Sequence, residues 1–415
     1  MANNKNTKVP NVPNSTDKGN TIRNVPALRF PEFEGEWKKE QLGDTADFSK
    51  GAGISKEQLS EKGEPCILYG ELYTKYKSEV IYDIISKTDI DSTKLVRSQA
   101  NDVIIPSSGE TAEDIATARC VLKNNILLGG DLNIIRLHKH SGSFMSYQLN
   151  GKRKYDIAKV AQGVSVVHLY AEHLKGVNTY NPCMEEQEKI ARLLSLLDER
   201  IATQNKIIED LNKLKSAIIE EHYKHTQKQN ACVADLGKPF NVGNLSKDDL
   251  SETGKPCIIY GELFTTYGET ISQVESHTNK KESMTLSKKG DLLFPTSTTV
   301  DAISLIAPSV INVDGVILGG DMFGIHISTN FNAQYLSYYF NHIANRQLAK
   351  FAKGSTIIHL HYTDIENAKL LLPSLEEQNK MANCLISLDE KIRVEKSYLQ
   401  LLDKQKAYLL RQMFI

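Results

Sequence analysis

Two stretches of the chain carry apolar residues at alternating spacings of four and three. The first stretch begins at Ile190 and the second at Met381, and the two patterns correspond position by position. A sustained pattern of this kind predicts the buried seam of a coiled coil. The seam positions are Ile190, Leu194, Leu197, Ile201, Gln204, Ile208, Leu211, Lys215, Ile218 and His222, and then Met381, Leu385, Leu388, Ile392, Glu395, Leu399, Leu402, Lys406, Leu409 and Met413.

Each stretch also has a well-marked start. Pro182 and Pro373 precede the two patterns, and the pairs Glu185–Glu186 and Glu376–Glu377 place negative charge in the first helical turn, where the helix dipole favours it. Each helix can extend for about 40 residues, or roughly 60 Å at about 1.5 Å per residue. The predicted helices are 183–225 and 374–415.

Both seams are interrupted by polar residues at equivalent places. Gln204 corresponds to Glu395, and Lys215 corresponds to Lys406. One interpretation is that these residues fix the register or orientation of the helices, as polar residues do in coiled coils. The other is that they lie at a frayed, solvated edge of the seam, since surface helices often break an apolar stripe.

The rest of the chain also contains an internal sequence repeat. The segment GEPCILYGELYTKY at 63–76 returns as GKPCIIYGELFTTY at 254–267, and its cysteines set an offset of 191 residues. Later matches, such as LLGGD with ILGGD, keep the offset between 189 and 191 residues. This repeat is far longer than the repeat of a solenoid. It predicts a duplicated domain, with each copy followed by a duplicated helix.

Within each copy, short β-branched runs bounded by Gly, Pro or Asp predict strands, and a helical pattern follows them. In the second copy this pattern runs through Leu336, Phe340, Ile343, Gln347 and Phe351 before a stop at Gly354. We therefore expect an α+β fold class, with two tandem domains separated by two long coiled-coil helices. The predicted boundaries are 1–27 for a polar, disordered tail, 28–182 for domain 1, 183–225 for helix 1, 226–373 for domain 2 and 374–415 for helix 2.

The composition narrows the class of protein. Lys plus Arg number 50 and Asp plus Glu number 51, so any binding of nucleic acid must depend on local surfaces. No apolar run approaches the roughly 18 residues that span a bilayer, and the Asn-rich start lacks a signal peptide, which predicts a cytoplasmic protein. The six cysteines never form C-x-x-C, so we expect buried free thiols and no metal site.

Four motifs together resemble a known family. They are LRFPEFEGEWKKEQLGD at 28–44, the repeated G-[VS]-[ST]-x-x-HL, the repeated P-x-x-EEQ-x-K at the helix starts, and LDE[RK]I in the heptads. These motifs and the order domain, helix, domain, helix resemble the specificity subunit of type I restriction-modification systems. The resemblance extends over nearly the whole chain from about residue 28.

The resemblance implies a non-catalytic subunit that recognises double-stranded DNA. Each domain would be a target recognition domain for one half of a bipartite, asymmetric sequence. The two long helices would pack antiparallel as a spacer that sets the gap between the half-sites. The spacer would also bind two methyltransferase subunits, which restriction and translocase subunits join. S-adenosylmethionine, ATP and magnesium would belong to those partners, and this chain would need no cofactor.

Two kinds of segment are candidates for DNA contact. The matched segments Pro106–Asp114 and Pro295–Ala302 are predicted loops rich in hydroxyl groups, and they are either contact loops or ordinary turns. The segments after the repeated YGEL differ between the copies, as base-reading segments of two different domains should. The candidate residues are Lys75, Lys77, Lys94, Arg97, Ser107 and Ser108 in the first copy, and Lys280, Lys281, Lys288, Lys289, Thr296, Ser297 and Thr298 in the second.

The YGEL segments themselves are predicted strands, with Tyr69, Glu71 and Tyr73 on one face. Because both copies share them, we favour a structural or phosphate-facing role over base reading. His168 and His359 of the repeated HL motif have no partner at metal-ligand spacing, so a structural contact is favoured over catalysis.

Two rival functions remain. An enzyme that methylates bases needs a Gly-rich cofactor loop and a motif for the flipped base, and the fragments GAG at 51 and NPCM at 181 lack that context. The sequence also has no P-loop. We therefore predict no catalytic residue in this chain. The alternative function is a coiled-coil scaffold that organises partner subunits without reading DNA.

Overall fold

A computed structural model describes residues 24–163, 166–280 and 284–415. The chain forms two compact units, and each unit combines one globular domain with parts of both long helices. The first unit contains the described residues up to Thr203 together with Leu399–Ile415, and the second contains Gln204–Tyr398. The tail predicted for 1–27 lies outside the described residues up to residue 23.

The first unit is a mixed α and β structure followed by the start of the first long helix. Its strands are β1 (Lys38–Gln41), β2 (Ala46–Lys50), β3 (Leu59–Ser60), β4 (Glu64–Ile67), β5 (Val80–Ile81), β6 (Ser86–Thr88), β7 (Val96–Arg97), β8 (Asp102–Pro106), β9 (Ser108–Gly109), β10 (Arg119–Val121), β11 (Leu127–Leu128), β12 (Leu132–Leu137), β13 (Val167–His168) and β14 (Asn178–Asn181). Its helices are α1 (Leu42–Thr45), α2 (Glu71–Thr74), α3 (Ala112–Ile115), α4 (Gly142–Asn150), α5 (Lys154–Val160), α6 (Ala171–Lys175) and α7 (Met184–His225), with a 3₁₀ turn at Lys56–Gln58.

Two five-stranded sheets organise the first domain, in the orders β2-β12-β8-β10-β5 and β3-β6-β4-β11-β7. Strand β8 is buried throughout. Its alternating residues divide between two cores, because successive side chains of a strand point to opposite faces. Val103 and Ile105 join the core that contains Met145 of α4, whereas Ile104 joins the core that contains Ile67 of the other sheet.

The second unit repeats this arrangement. Its strands are β15 (Gln229–Cys232), β16 (Gly237–Asn241), β17 (Leu250–Ser251), β18 (Lys255–Ile259), β19 (Thr270–Ile271), β20 (Ser276–Thr278), β21 (Thr285–Leu286), β22 (Asp291–Pro295), β23 (Ser297–Thr298), β24 (Ser309–Ile311), β25 (Ile317–Gly319), β26 (Met322–Ile327), β27 (Ile358–His359) and β28 (Lys369–Leu372). Its helices are α8 (Glu262–Thr265), α9 (Ala333–Tyr339), α10 (Asn345–Leu348), α11 (Tyr362–Ile365) and α12 (Leu375–Gln412), with 3₁₀ turns at Val233–Leu236, Lys247–Asp249 and Ala349–Phe351. The sheet orders, β16-β26-β22-β24-β19 and β17-β20-β18-β25-β21, are those of the first unit strand for strand. The internal repeat therefore extends to strand order and pairing.

The helical pattern predicted before Gly354 is interrupted in the structure. A π-helical segment at Phe340–Ala344 separates α9 from α10. The extra residue of a π turn shifts the buried face by one position. As a result Ala344 and Leu348 are buried, whereas Gln347 of the predicted stripe is exposed.

The YGEL segments are short helices, so the strand predicted there is wrong. In the first copy the Glu71 carboxylate accepts a hydrogen bond from the backbone N–H of Leu68, and the Lys75 N–H donates to the Glu71 carbonyl. These two bonds close a helical turn, α2, in place of an extended strand. Glu262 makes the same contact with the Ile259 N–H before α8.

The P-x-x-EEQ motif joins each long helix to its domain. The Gln187 amide donates to the Pro182 carbonyl over 2.8 Å, and its oxygen accepts from the N–H of Ser141, the N-cap residue of α4. Gln378 makes the equivalent bonds to Pro373 and to Asn332, the N-cap residue of α9. Both glutamines are buried. The start of each long helix is thereby fixed relative to a helix of the preceding domain.

The long helices pack in antiparallel directions, as the family resemblance implies. In the second unit the interhelical polar contacts pair Gln204 with Glu395, Lys215 with Asp389, and His222 with Glu377. Partner numbers fall on α12 as they rise on α7, which is the sign of antiparallel packing. In the first unit Ile190 and Leu194 share a core with Met413. Every predicted seam position is buried or half-buried.

The cysteines are free thiols, but only some of them are buried. Cys66, Cys120 and Cys257 are buried within the sheets, as expected for small apolar side chains. Cys183 and Cys384 are exposed, and Cys232 is half-buried. The expectation of uniformly buried thiols is therefore wrong for these three.

Candidate nucleic-acid interface

The repeated HL motif pairs with the hydroxyl-rich segment of the same domain. Ser108 of β9 lies opposite His168 of β13, and Ser297 of β23 lies opposite His359 of β27. The segments Pro106–Asp114 and Pro295–Ala302 are therefore not simple loops as predicted, because each contributes a strand to a small antiparallel pair. The sequence motif gives no hint of the pairing, since the paired residues lie far apart along the chain.

The candidate hydroxyl residues differ in how far they face solvent. Ser107, Thr296 and Ser297 are buried, and the Ser297 hydroxyl donates to Asp321 over 2.8 Å. Ser108 and Thr298 are half-buried. These last two are better placed to contact a ligand than the three buried residues.

The histidines of the two pairs are both exposed. Gly163 and Gly354, which lie five residues before His168 and His359, both have a positive φ. In the second unit a cleft of about 590 Å³ lies beside His359 and is lined in part by Lys353 and His361. The shared geometry presents an exposed imidazole ring at the same place in both domains, opposite a serine that is half-buried in the first domain and buried in the second. Such groups can contact phosphate oxygens.

The candidate cations of the first domain are partly committed to internal partners. Arg97 forms a bidentate ion pair with Glu64, and hydrogen bonds from Arg97 and Ser92 lower the pKa of Glu64 to about 2. Lys75 pairs with Glu71 over 2.7 Å. Lys77 donates to the Tyr73 carbonyl, and Lys94 is exposed.

The second domain shows a similar division. Lys280 bridges Asp249 and the Asn244 carbonyl. Lys281 lies outside the described residues. Lys288 and Lys289 are exposed at the turn before β22, and within the described part of the chain neither side chain has an ion-pair partner. Among the predicted lysines that the structure describes, Lys94, Lys288 and Lys289 are exposed without the internal side-chain contacts that hold Lys75, Lys77 and Lys280.

A cleft in the first unit is lined mainly by segments that both copies share. Its volume is about 790 Å³, and its lining includes Tyr69, Lys56, Lys75 and Asp131. Tyr69 is 39% exposed and Lys56 is exposed, so an aromatic face and one ammonium group are available to a ligand, whereas Lys75 is paired with Glu71. Aromatic faces and cations are the groups on which nucleic acids stack and pair.

Each domain is held on the helix pair by a buried polar cluster. In the second unit Lys215 Nζ lies 2.6 Å from Asp389 and 2.9 Å from Glu269, and the Tyr338 hydroxyl donates to Asp389. His342 also lies 3.0 Å from Glu269. The side chain of Lys215 is only 6% exposed. The two helices and the domain therefore meet at one ammonium group.

The first unit contains the equivalent cluster. Lys406 Nζ lies 2.6 Å from both Asp198 and Glu79, and the Tyr147 hydroxyl donates to Asp198 over 2.7 Å. The Ser78 hydroxyl donates to the same carboxylate. These contacts exclude the interpretation of Lys215 and Lys406 as residues at a frayed, solvated edge.

The two clusters differ in their electrostatics. Burial raises the pKa of Glu269, but the hydrogen bond from His342 and the charge of Lys215 outweigh burial and bring its pKa down to about 2. Burial raises the pKa of Glu79, and the charge of Lys406 offsets this effect only in part, because Asp198 also raises it. Burial likewise raises the pKa of Tyr147 and of Tyr338.

Sequence reasoning found the lysines of these clusters but missed their partners. Glu79 and Glu269 occupy matched places in segments that otherwise differ, as do Tyr147 and Tyr338. A carboxylate or a phenol hydroxyl that is kept in both copies, while many neighbouring residues differ, is the sequence signal that indicates these partners. Within the described ranges, no group of three or more His, Cys, Asp or Glu side chains is arranged to hold a metal ion. Of the helices in those ranges, none is both long and apolar enough to cross a membrane.

A family model described as the type I restriction modification DNA specificity domain matches residues 34–213 and 228–404. The two matches cover most of the chain and follow the internal repeat. The chain belongs to this family.

Individual proteins agree with the family match. The MjaVIII specificity subunit of a type I restriction enzyme from Methanocaldococcus jannaschii is 23% identical over 419 residues, covering 94% of each chain. The crystal structure of a type I restriction-modification S subunit from M. genitalium matches with a TM-score of 0.62 at 16% identity, over 94% of this chain and 99% of that one. A chain from a structure concerned with complex assembly and conformational transition of the type I system matches with a TM-score of 0.53 at 14% identity, over 91% and 97%. These structures share the fold.

Proposed function

We propose that this chain is the subunit that selects the DNA target of a type I restriction-modification complex. In this proposal it binds a bipartite, asymmetric sequence in double-stranded DNA, one half-site per domain, and performs no catalysis itself. The observation that carries the proposal is the duplicated domain, with the same strand order in both copies but different surface segments. A protein that reads two unlike half-sites needs this combination of shared scaffold and different surface.

The shared and the differing surfaces have separate tasks in this proposal. The histidines of the serine–histidine strand pairs are exposed in both domains, which suits contacts with the phosphate backbone, because phosphates are alike in every sequence. The segments after YGEL carry different side chains in the two domains, which suits base contacts. Lys94, Lys288 and Lys289 are placed among these differing segments and can add phosphate contacts.

The long helices supply the surface for protein partners. Outside its buried seam, α12 exposes apolar side chains at intervals of seven, namely Val394, Leu401 and Tyr408. On α7, Leu196 and Leu214 are each at least half exposed. A spacing of seven places the three side chains of α12 on one face of the helix, and an apolar helix face suits contact with another protein. We assign them to two methyltransferase subunits, to which restriction and translocase subunits then bind.

The cofactors of the reaction belong to those partners in this proposal. S-adenosylmethionine is assigned to the methyltransferase subunits, and ATP and magnesium to the restriction subunits. The complex acts in the cytoplasm, where it meets both host DNA and incoming phage DNA.

The test is sequencing of modified bases in host DNA with and without this gene, with the methyltransferase subunit supplied in both strains. The proposal requires that one bipartite motif become methylated only when the chain is present. Unchanged methylation, from a chain that co-purifies with its methyltransferase partner, would overturn it.

The alternative is a scaffold that organises partners without reading DNA, which the balanced charge of the chain favours. The salt dependence of DNA binding separates the two. Phosphate contacts give a steep loss of affinity with salt, and a scaffold that binds only proteins does not contribute to such a slope.

A further inference from the structure

Lys215 and Lys406 each join three parts of the molecule. Lys215 belongs to α7 and binds Asp389 of α12 and Glu269, which directly precedes β19 of the second domain. Lys406 belongs to α12 and binds Asp198 of α7 and Glu79, which directly precedes β5 of the first domain. Each ammonium group therefore links its own helix, the opposite helix and one domain.

A second contact fixes each domain at the same aspartate. Tyr338 of α9 donates its hydroxyl to Asp389 over 2.5 Å, and Tyr147 of α4 donates to Asp198 over 2.7 Å. Each tyrosine comes from the main helix of its domain and is almost fully buried. Each domain is therefore attached at two points, through a glutamate and a tyrosine, to one lysine–aspartate pair of the helices.

Such clusters are a costly way to fill a helical seam. Taking charges out of water opposes their attraction, so well-packed apolar residues at these places would be as stable or more stable. What charged hydrogen bonds add is geometric selectivity, because they require short distances and defined directions. A slip of one helical turn moves a residue by about 5.4 Å, which would separate each lysine from its carboxylates.

We propose that Lys215 and Lys406 are positioning residues for target spacing. Each holds one domain in a single position on the helix pair, so that the complex rejects targets whose half-sites are separated by the wrong number of base pairs. The inference rests on the proposed function, and it goes further by assigning spacing discrimination to two buried residues that touch no DNA. They act through the carboxylates that they bind.

The experiment measures spacing discrimination in the assembled methyltransferase complex. DNA substrates carry the two half-sites at the natural gap, or at a gap one base pair shorter or longer. The measured quantity is the ratio of methylation rates at the natural and the shifted gaps. The variant Lys215→Met should lower this ratio by about tenfold, a typical effect of losing one buried charged contact, and leave the preferred half-site sequences unchanged. Lys406→Met should do the same.

Two control variants separate positioning from a general effect of losing a lysine. Lys213→Met removes an exposed lysine two residues away, whose partner Glu209 is on the same helix. Lys404→Met removes an exposed lysine close to Lys406. Neither control should change the ratio.

The outcomes are distinct. If a folded Lys215→Met complex loses activity equally on all gaps, the residue has only a structural role and the inference is overturned. If that variant does not fold, the same ratio of methylation rates is measured for Glu269→Gln, because this substitution keeps the side-chain volume and removes one charge. An unchanged ratio for Glu269→Gln overturns the inference. A wild-type complex that methylates no bipartite target overturns the proposed function itself. If the wild-type complex discriminates between gaps and the variants keep the same ratio of methylation rates, only this inference is overturned.

Discussion

Gln204 donates a hydrogen bond to Glu395, and these two residues are copies of each other in the internal repeat. The Gln204 amide also donates to the Glu395 backbone carbonyl, and Gln204 is buried. In an antiparallel pair of equivalent helices, a position meets its own copy at only one level of the pair. A shift of one heptad would replace this contact by a polar group against an apolar neighbour. The pair thus favours one register.

Replacing both members of this pair with leucine should stabilise the helix pair and weaken its register. A buried polar contact exchanged for apolar packing commonly gains about 1 kcal/mol or more. We therefore expect Gln204→Leu with Glu395→Leu to raise the Tm by several degrees, measured by circular dichroism. The control, Lys206→Leu with Lys396→Leu at exposed positions of the same helices, should leave the Tm nearly unchanged. A lower Tm for the double leucine variant would contradict the register interpretation.

The matched glutamates of the two clusters should respond differently to the same substitution. Because the pKa of Glu269 is brought down to about 2, its ionised form stabilises the folded chain. Glu269→Gln should therefore cost on the order of 3 kcal/mol at pH 7. Burial raises the pKa of Glu79, so its ionised form is less favourable in the folded chain than in the unfolded chain. Glu79→Gln should therefore lower the free energy of unfolding only slightly, or raise it.

The pH dependence gives a second measurement of the same contrast. Stability from Glu269 is present above its unfolded pKa and is lost as the pH falls toward its folded pKa of about 2. The Tm difference between wild type and Glu269→Gln should therefore narrow below about pH 4.5. For Glu79→Gln any difference should vanish at a higher pH, because the raised pKa protonates Glu79 first. Equal and parallel curves for the two variants would show that the clusters are electrostatically alike.

The sequence predicts a structural feature well when the residues that determine that feature lie close together along the chain. The heptad seam and the helix starts follow from residues within a few turns of one another, and the structure confirms both. The strand pairing of Ser108 with His168 depends on distant parts of the chain meeting, which periodicity does not encode. The alternating polar and apolar residues of YGEL predict a strand, but the Glu71 carboxylate accepts a backbone hydrogen bond that starts a helix there. The heptad pattern identifies Lys215 as a seam residue, but only the folded structure shows that Asp389 and Glu269 bind it.

Lengthening the spacer should change the preferred gap only if both helices are lengthened together. A heptad inserted in α7 after Leu211 alone moves Lys215 by about 10 Å relative to Gln204, so the contacts with Asp389 and Glu395 cannot both form. A second heptad after Ile392 in α12 restores both. We expect the single insertion to lower stability and the paired insertion to give a longer gap, by at most about 3 base pairs at roughly 3.4 Å each. The readout is modified-base sequencing, and an unchanged gap with the paired insertion would refute the role of the helices as a spacer.

The exposed lysines before β22 should contribute to affinity without contributing to sequence preference. Lys288 and Lys289 are solvent-exposed, and a cation at such a place releases about one counterion when it meets a phosphate. The variant Lys288→Ala with Lys289→Ala should therefore lower the slope of log affinity against log salt by about 2, with the same methylated motif. The measurement is fluorescence anisotropy of the assembled complex on target and non-target DNA between about 50 and about 200 mM salt. Lys206→Ala with Lys213→Ala on α7 removes the same charge from the helix surface and should leave the slope unchanged. If the domain variant keeps the wild-type slope, these lysines do not face DNA; if it changes the motif, they contact bases and not only phosphates.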